Sequence, residues 1–223
     1  MIRMTIYLVV FIFLSCKKEY TIKKSFSNNK VQKLKMHKLE KLLVTGDFDG
    51  DKKLDTLFQH NFSKLNKKEI KIAPDPFKND WENVVDWFYK QDSYVYLSTN
   101  ENNADKLSLT TAQGLYCLIN IGDNNSDGKD EIALVVDLCD FSSLNSCNIY
   151  TLCNKKWEKL KQFGVREDSF DYISGVRPIK YIEIKGYLEN HNRKWFYKDN
   201  DQIDYDTPND VGKMKELVIR KCK

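Results

Sequence analysis

A mainly β domain, built from antiparallel hairpins with one short helix, is what the sequence predicts, on three observations. From residue 40 onward the chain falls into short runs rich in β-branched and aromatic residues, with polar turns between them. Only residues 79–91 have helical spacing. Two acidic stretches, GDFDGDKKLD at 46–55 and GDNNSDGKDE at 122–131, each lie between two of the short runs.

Taken in order, KLLVT (41–45) and LDTLFQH (54–60) bracket the first acidic stretch, and EIKIA (69–73) follows. In NDWENVVDWFYKQ (79–91), Trp81, Val84, Val85 and Phe88 share one apolar face, a core contact, and Asp80 stands where a cap belongs. YVYLS (94–98), KLSLT (106–110), YCLINI (116–121), EIALVVD (131–137) and NIYTL (148–152) read as strands. So do YIEIKGYLEN (181–190), KWFYKD (194–199) after the polar turn HNRK, and KELVIRKC (215–222). Along KWFYKD, Trp195 and Tyr197 share one face and Phe196 takes the other, with either face able to be the buried one.

At 223 residues, 41% hydrophobic and 30% charged, the chain has apolar material for one core and one domain. The net charge of +4, from 36 basic and 32 acidic side chains, is spread along the chain and carried mostly by lysine, which argues against nucleic acid as a partner.

Residues 1–15 read as a lipoprotein signal peptide: Arg3 supplies the charged start and an apolar run extends to Leu14. That run is too short to span a bilayer, which takes about 20 apolar residues. FLSC, ending at Cys16, resembles the bacterial lipobox, with Phe13 where leucine is usual. The resemblance implies lipidation of Cys16 and a membrane anchor; an ordinary cleaved signal with an incidental cysteine is the other reading. Residues 16–38 are then a lysine-rich tether, and 39–223 the single β-rich domain. Lys17 and Lys18 stand where surface-exported lipoproteins carry acidic residues, so the expected location is the outer membrane facing the periplasm, with surface exposure as the alternative.

Five cysteines follow Cys16, an odd number for pairing within the chain. Cys139 and Cys147 flank DFSSLNS, a connection between two strands, and are the pair expected to form any disulfide. Zinc is disfavoured, since no Cys-Cys spacing is that of a knuckle and His37, His60 and His191 are dispersed.

Asp47, Asp49, Asp51 and Asp55 occupy positions 1, 3, 5 and 9 of the first acidic stretch; Asp123, Asn125, Asp127 and Glu131 occupy the same positions of the second. Calcium takes six to eight oxygens, and such spacing supplies them from alternate side chains and from a seventh-position backbone carbonyl, here those of Lys53 and Lys129. Magnesium keeps its waters, and softer metals want nitrogen or sulfur. The plain alternative is a pair of Asx-rich turns with no ion.

An EF-hand or dockerin loop continues into a helix, whereas TLFQH and IALVVD are strand-like. The strand, loop and strand order of 41–60 and 115–160 instead resembles the calcium loops of FG-GAP and VCBS repeats. NIGDNNSDGKDEIALVVD with NIYTLCNKKWEKL is similar to such a repeat in bacterial lipoproteins with propeller-like β-domains. The loops start 76 residues apart (123 − 47), wider than a propeller blade, with no third copy. The resemblance therefore implies a partial or distorted propeller-like or sandwich domain with two calcium-clamped hairpins.

No nucleophile elbow, phosphate-cradling loop or Cys-His arrangement is recognisable, so the expected function is a non-enzymatic module binding a protein or glycan. An immunity or inhibitor protein acting on a cell-wall hydrolase is the alternative; SGVRPIKY, with Ser174 and Gly175, resembles the Ser-Gly loops by which some lysozyme inhibitors enter an active-site cleft, and a simple turn before a strand is the other reading of these two residues. A hydrolase with an unrecognised pair of carboxylates is a third reading.

Overall fold

The computed structural model describes residues 33–99, 106–170, 180–198 and 213–222. Cys16, Ser174 and Gly175 lie outside the described residues. The chain divides into two units, Met1–Lys33 and Leu34–Lys223, and the second is the β-rich one. Its start takes in residues that the sequence assigned to the tether: β1 (Met36–Lys38) pairs antiparallel with β5 (Ile72–Pro74). Charge and missing periodicity disguise so short a strand.

The unit is mainly β, and its described residues show only antiparallel strand pairs, one α-helix and no closed barrel. β2 (Leu43–Gly46), β3 (Asp55–Ser63), β6 (Ser93–Ser98) and β7 (Leu107–Ser108) form one sheet, with β4 (Lys68–Glu69) paired to β3. β8 (Ala112–Gly122), β9 (Glu131–Leu138), β10 (Leu144–Cys153) and β11 (Lys156–Arg166) form a four-stranded meander in chain order. β12 (Leu188–His191), β13 (Lys194–Tyr197) and β14 (Lys215–Glu216) make the third sheet.

The meander is covered on both faces. Leu118, Ile132 and Leu134 pack with Val44, Leu57 and Leu97 of the β2 sheet. Their neighbours along the strands, Ile119, Ala133 and Val135, point the other way and pack with Leu188, Trp195 and Tyr197 of the third sheet. This double burial explains why β9 reads IALVV rather than alternating. Trp195 and Tyr197 thus take the inward face of β13 and Phe196 the outer one.

β11 was hidden in the sequence because only Phe163 and Val165 of its eleven residues are buried. Its position follows from the turn before it: Asn154 and Lys155 both have positive φ, 49° and 64°, and close a two-residue hairpin between Cys153 and Lys156. Asn192 and Arg193 do the same between β12 and β13. Conversely, YIEIKGYLEN is a strand only from Leu188, and KELVIRKC only at Lys215–Glu216.

The helix, α1 (Trp81–Lys90), buries Val84, Val85 and Phe88 as its spacing requires. Asp80 sits at the N-cap, but its side chain makes no capping hydrogen bond. Among the described residues no helix is long and apolar enough to cross a membrane.

The expected Cys139–Cys147 disulfide does not form. Cys147 pairs with Val135 in the ladder, so four residues, or about 13 Å of strand, separate it from the position opposite Cys139. Cys139 packs near the helix and Cys147 in the core between the meander and the third sheet. A disulfide joins Cys153 to Cys222 instead, with Cα atoms 5.5 Å apart, within the range a bridge spans. Sequence proximity was the wrong guide: the partner lies 69 residues away.

Candidate metal centre

The two acidic stretches are equivalent connections of two hairpins. Gly46 pairs with Asp55 at the base of the β2–β3 loop, and Gly122 pairs with Glu131 at the base of the β8–β9 loop. Each loop is therefore eight residues long, and the ninth-position acid is the first residue of the returning strand.

Backbone N–H groups hold the carboxylates in place. In the first loop Gly50 and Lys52 donate to the two Asp47 oxygens, both at 2.9 Å, and Asp51 donates to Asp49 at 3.0 Å. In the second, Asp127 and Gly128 donate to the Asp123 oxygens at 3.0 and 2.9 Å, and Lys129 donates to Asp127 at 3.2 Å. Gly50 and Gly128, at φ of 84° and 89°, let the chain turn back on these carboxylates.

The carboxylates converge. One oxygen from each of Asp47, Asp49 and Asp51 lies within 4.8 Å of the others, and so does one from each of Asp123, Asp127 and Glu131. Two ligands on opposite sides of a cation at about 2.4 Å stand about 4.8 Å apart, so either group can share one metal ion. Each oxygen that accepts a backbone hydrogen bond retains a further lone pair. The donor set, all oxygen, suits a hard cation.

The loops use their positions differently. Asp55 falls outside the first group, although burial and the charges of Asp49, Asp51 and Asp47 raise its pKa, opposed by a hydrogen bond from the Phe48 backbone. The Asn125 amide donates to Glu131 Oε1 at 3.0 Å and to the Arg220 carbonyl at 3.1 Å, and its Oδ1, which accepts from the Asp127 N–H at 2.9 Å, retains a further lone pair for an ion. The lysine side chains have partners of their own: Lys53 Nζ pairs with Asp51, a candidate ligand, at 3.1 Å, and Lys129 Nζ donates to the Leu152 carbonyl at 2.9 Å.

Glu131 is the sharpest test of fit. It is 0% exposed, and among the described residues no basic side chain pairs with it. Burial pushes its carboxyl up to about 7; the Asn124 N–H opposes this, the Asp127 charge adds to it, Thr151 opposes it and Asp123 adds again. A buried carboxylate facing two others is costly alone and well placed beside a cation.

What the sequence did not disclose is that the loops touch. The Asp130 N–H donates to the Asp47 carbonyl at 2.8 Å, and the Asp47 N–H donates to Asp130 Oδ2 at 3.1 Å. Asn120 completes the clasp, donating to Asp130 Oδ2 at 2.8 Å and to the Thr45 carbonyl at 2.9 Å. Neither Asn120 nor Asp130 occupies a loop-ligand position, so spacing held no signal for them. Gly46 lies under this clasp: a Cβ there would stand 2.5 Å from Asn120 Nδ2 and 2.7 Å from Asp130 Oδ2. Gly46→Ala is expected to destabilise the domain by about 1–3 kcal/mol in urea denaturation, the usual cost of overpacking. A change below about 0.5 kcal/mol would show the clasp to be loose.

The C-terminal segment backs the second loop. Asn124 donates to the Leu217 carbonyl at 3.0 Å, Lys221 Nζ to the Ser126 carbonyl at 2.8 Å, and the Cys153–Cys222 bridge secures the segment to the end of β10.

Comparison of the chain with protein-family models, curated proteins and solved structures finds no match.

Proposed function

We propose that this chain is an exported, lipid-anchored protein in which two FG-GAP/VCBS-type loops bind calcium as structural clamps, and that the β-domain serves as a non-enzymatic binding module for a protein or glycan. The observation that carries this reading is the pair of equivalent eight-residue acidic hairpin loops, side by side, one of them enclosing a buried carboxylate without a cation partner among the described residues. Calcium would supply positive charge and a flexible six-to-eight-oxygen geometry, joining loop positions that otherwise repel. Asp47, Asp49 and Asp51 would hold one ion and Asp123, Asp127 and Glu131 the other, with the carbonyls of Lys53 and Lys129 as further ligands. The bound ions would stiffen the clasp between the hairpins.

The disulfide supports export, because such bridges persist in oxidising compartments. The outer face of the β2 sheet supports binding. His60 stacks on Tyr96 at 4.6 Å, Tyr96 lies 5.8 Å from Tyr94, and Phe58 and Leu43 remain exposed beside them. Such a face of rings suits a glycan or a protein surface.

Metal analysis after dialysis against micromolar calcium tests the clamps, with two calcium ions per chain expected. Cell fractionation tests the anchor: Cys16→Ser is expected to move the protein from the membrane to the soluble fraction. A metal-free chain, or a variant that stays with the membrane, would overturn the corresponding half of the reading.

A further inference from the structure

At the other end of the β8–β9 hairpin, about 23 Å along β9 from Glu131, an open cleft of ≈ 400 Å³ lies between the start of α1, the β9–β10 connection and the residues following β11. Its volume falls in the range of small-ligand sites. Trp81, Tyr116, Phe77 and Phe141 supply aromatic walls, and Phe141 is 72% exposed.

The polar groups of the lining are unbalanced. Three of its donor groups are turned to partners within the protein: Trp81 Nε1 donates to the Asp140 carbonyl at 2.7 Å, Gln113 Nε2 to Asp137 at 2.8 Å, and Ser142 Oγ to the Leu144 carbonyl at 3.1 Å. Its acceptors are less fully used. Gln113 is nine-tenths buried, yet among the described residues its Oε1 accepts no hydrogen bond. Asp140 accepts one at Oδ1, from the Ser142 N–H at 3.0 Å, and among the described residues its second oxygen accepts none. The half-buried Glu167 carboxylate has no basic partner among the described residues; the nearby Arg166 is taken by Asp168 at 3.2 Å. Burial and the charges of Asp140 and Asp168 raise the pKa of Glu167, as expected of carboxylates gathered without a counter-ion.

A neutral sugar needs donors and acceptors in similar number, and an anion would be repelled. A planar cation with several N–H donors and a stackable face meets every requirement of the lining. We infer that this cleft binds a guanidinium group, stacked on the Trp81 and Phe141 side and hydrogen-bonded to Asp140, Glu167 and Gln113. The inference goes beyond the calcium reading and holds whether or not the loops take an ion.

Calorimetric titration of the full chain with N-acetyl-arginine amide tests it, with free arginine as the arm that separates a peptide side chain from a small-molecule source. Saturable binding is expected with and without a calcium chelator. N-acetyl-citrulline amide, which keeps the shape and loses the charge, is expected not to bind. Glu167→Gln should weaken binding about tenfold or more, as loss of a charge-assisted hydrogen bond does. Phe141→Ala should weaken it about threefold, and because the ring is exposed its removal leaves the core intact. An unshifted melting temperature certifies each variant. No saturable arginine binding, equal binding of the citrulline compound, or an unaffected Glu167→Gln would overturn the inference, and loss of the calcium response alone would leave it standing.

Discussion

Glu131→Gln is expected to stabilise the metal-free protein at pH 8 while removing about half or more of its stabilisation by calcium. In the folded chain burial pushes the Glu131 carboxyl up to about 7, against 4.5 for a solvated glutamate. Between these values the folded state keeps a proton that the unfolded state has lost. Metal-free stability therefore falls as pH rises from about 4.5 to 7, and the full penalty applies above 7. A shift of this size corresponds to about 3 kcal/mol. The neutral amide relieves it, but one of the two donors aimed at Glu131, the Asn124 N–H or the Asn125 amide, then meets an NH₂ group, costing about 1–2 kcal/mol. The expected net gain is about 1–2 kcal/mol at pH 8, shrinking towards pH 5.

Calcium reverses the sign. At a hundredfold excess over Kd, one ion stabilises the wild type by about 2.7 kcal/mol. Held as proposed, the ion is bound by ionised Glu131, so its effect should grow with pH, and the variant should keep only the contribution of the first loop. Thermal melts at pH 5 and 8, with calcium or chelator, read all of this. Equal calcium shifts in wild type and variant would mean that Glu131 is not a ligand, and the second loop would then be an Asx-rich turn.

Cys222→Ser is expected to lower stability by about 4 kcal/mol, the loop-closure entropy lost when a bridge across 69 residues is removed. The effect should also reach the metal site. The segment that Cys222 secures carries the Leu217 and Arg220 carbonyls, which hold Asn124 and Asn125, and the Cys222 N–H approaches Asp127 Oδ2 at 3.4 Å. Once the bridge is gone, calcium affinity at the second loop should fall several-fold while the first loop is unaffected. Urea denaturation and calcium titration of Cys222→Ser measure the two effects. A variant with unchanged calcium affinity would show that the C-terminal segment braces the fold but not the site. Cys139→Ser, in contrast, removes no bridge, and its cost is only that of placing a hydroxyl in the small core beside α1.

The longer strands of the β2 sheet and β8 to β10 of the meander were legible because each carries its own period: Leu57 against Phe58, or Ile132 to Val135 packed on both faces, leaves a mark in a few consecutive residues. β1 and β11 left none, being too short or too poor in buried side chains to declare themselves. The two loops were likewise local. Four matching offsets, filled by acids except at Asn125, each set preceded by glycine and followed by a strand, are present in ten residues of sequence, and they contain the converging carboxylates of Asp47, Asp49 and Asp51 and of Asp123, Asp127 and Glu131.

Contacts between distant residues were not legible, because nothing in a run of ten residues records what lies across the fold. The Cys153–Cys222 bridge, the clasp of Asp47 with Asp130, and the cleft joining Trp81, Gln113, Asp140 and Glu167 each depend on chain segments dozens of residues apart. By itself the sequence determined a mainly β chain with two equivalent acidic hairpin loops, since strand period and loop spacing are short-range properties. Only the tertiary structure decided that those loops lie together, that Glu131 is sealed from water, and that the C-terminus is tied behind it, because burial and cross-linking are set by which faces the sheets present to one another.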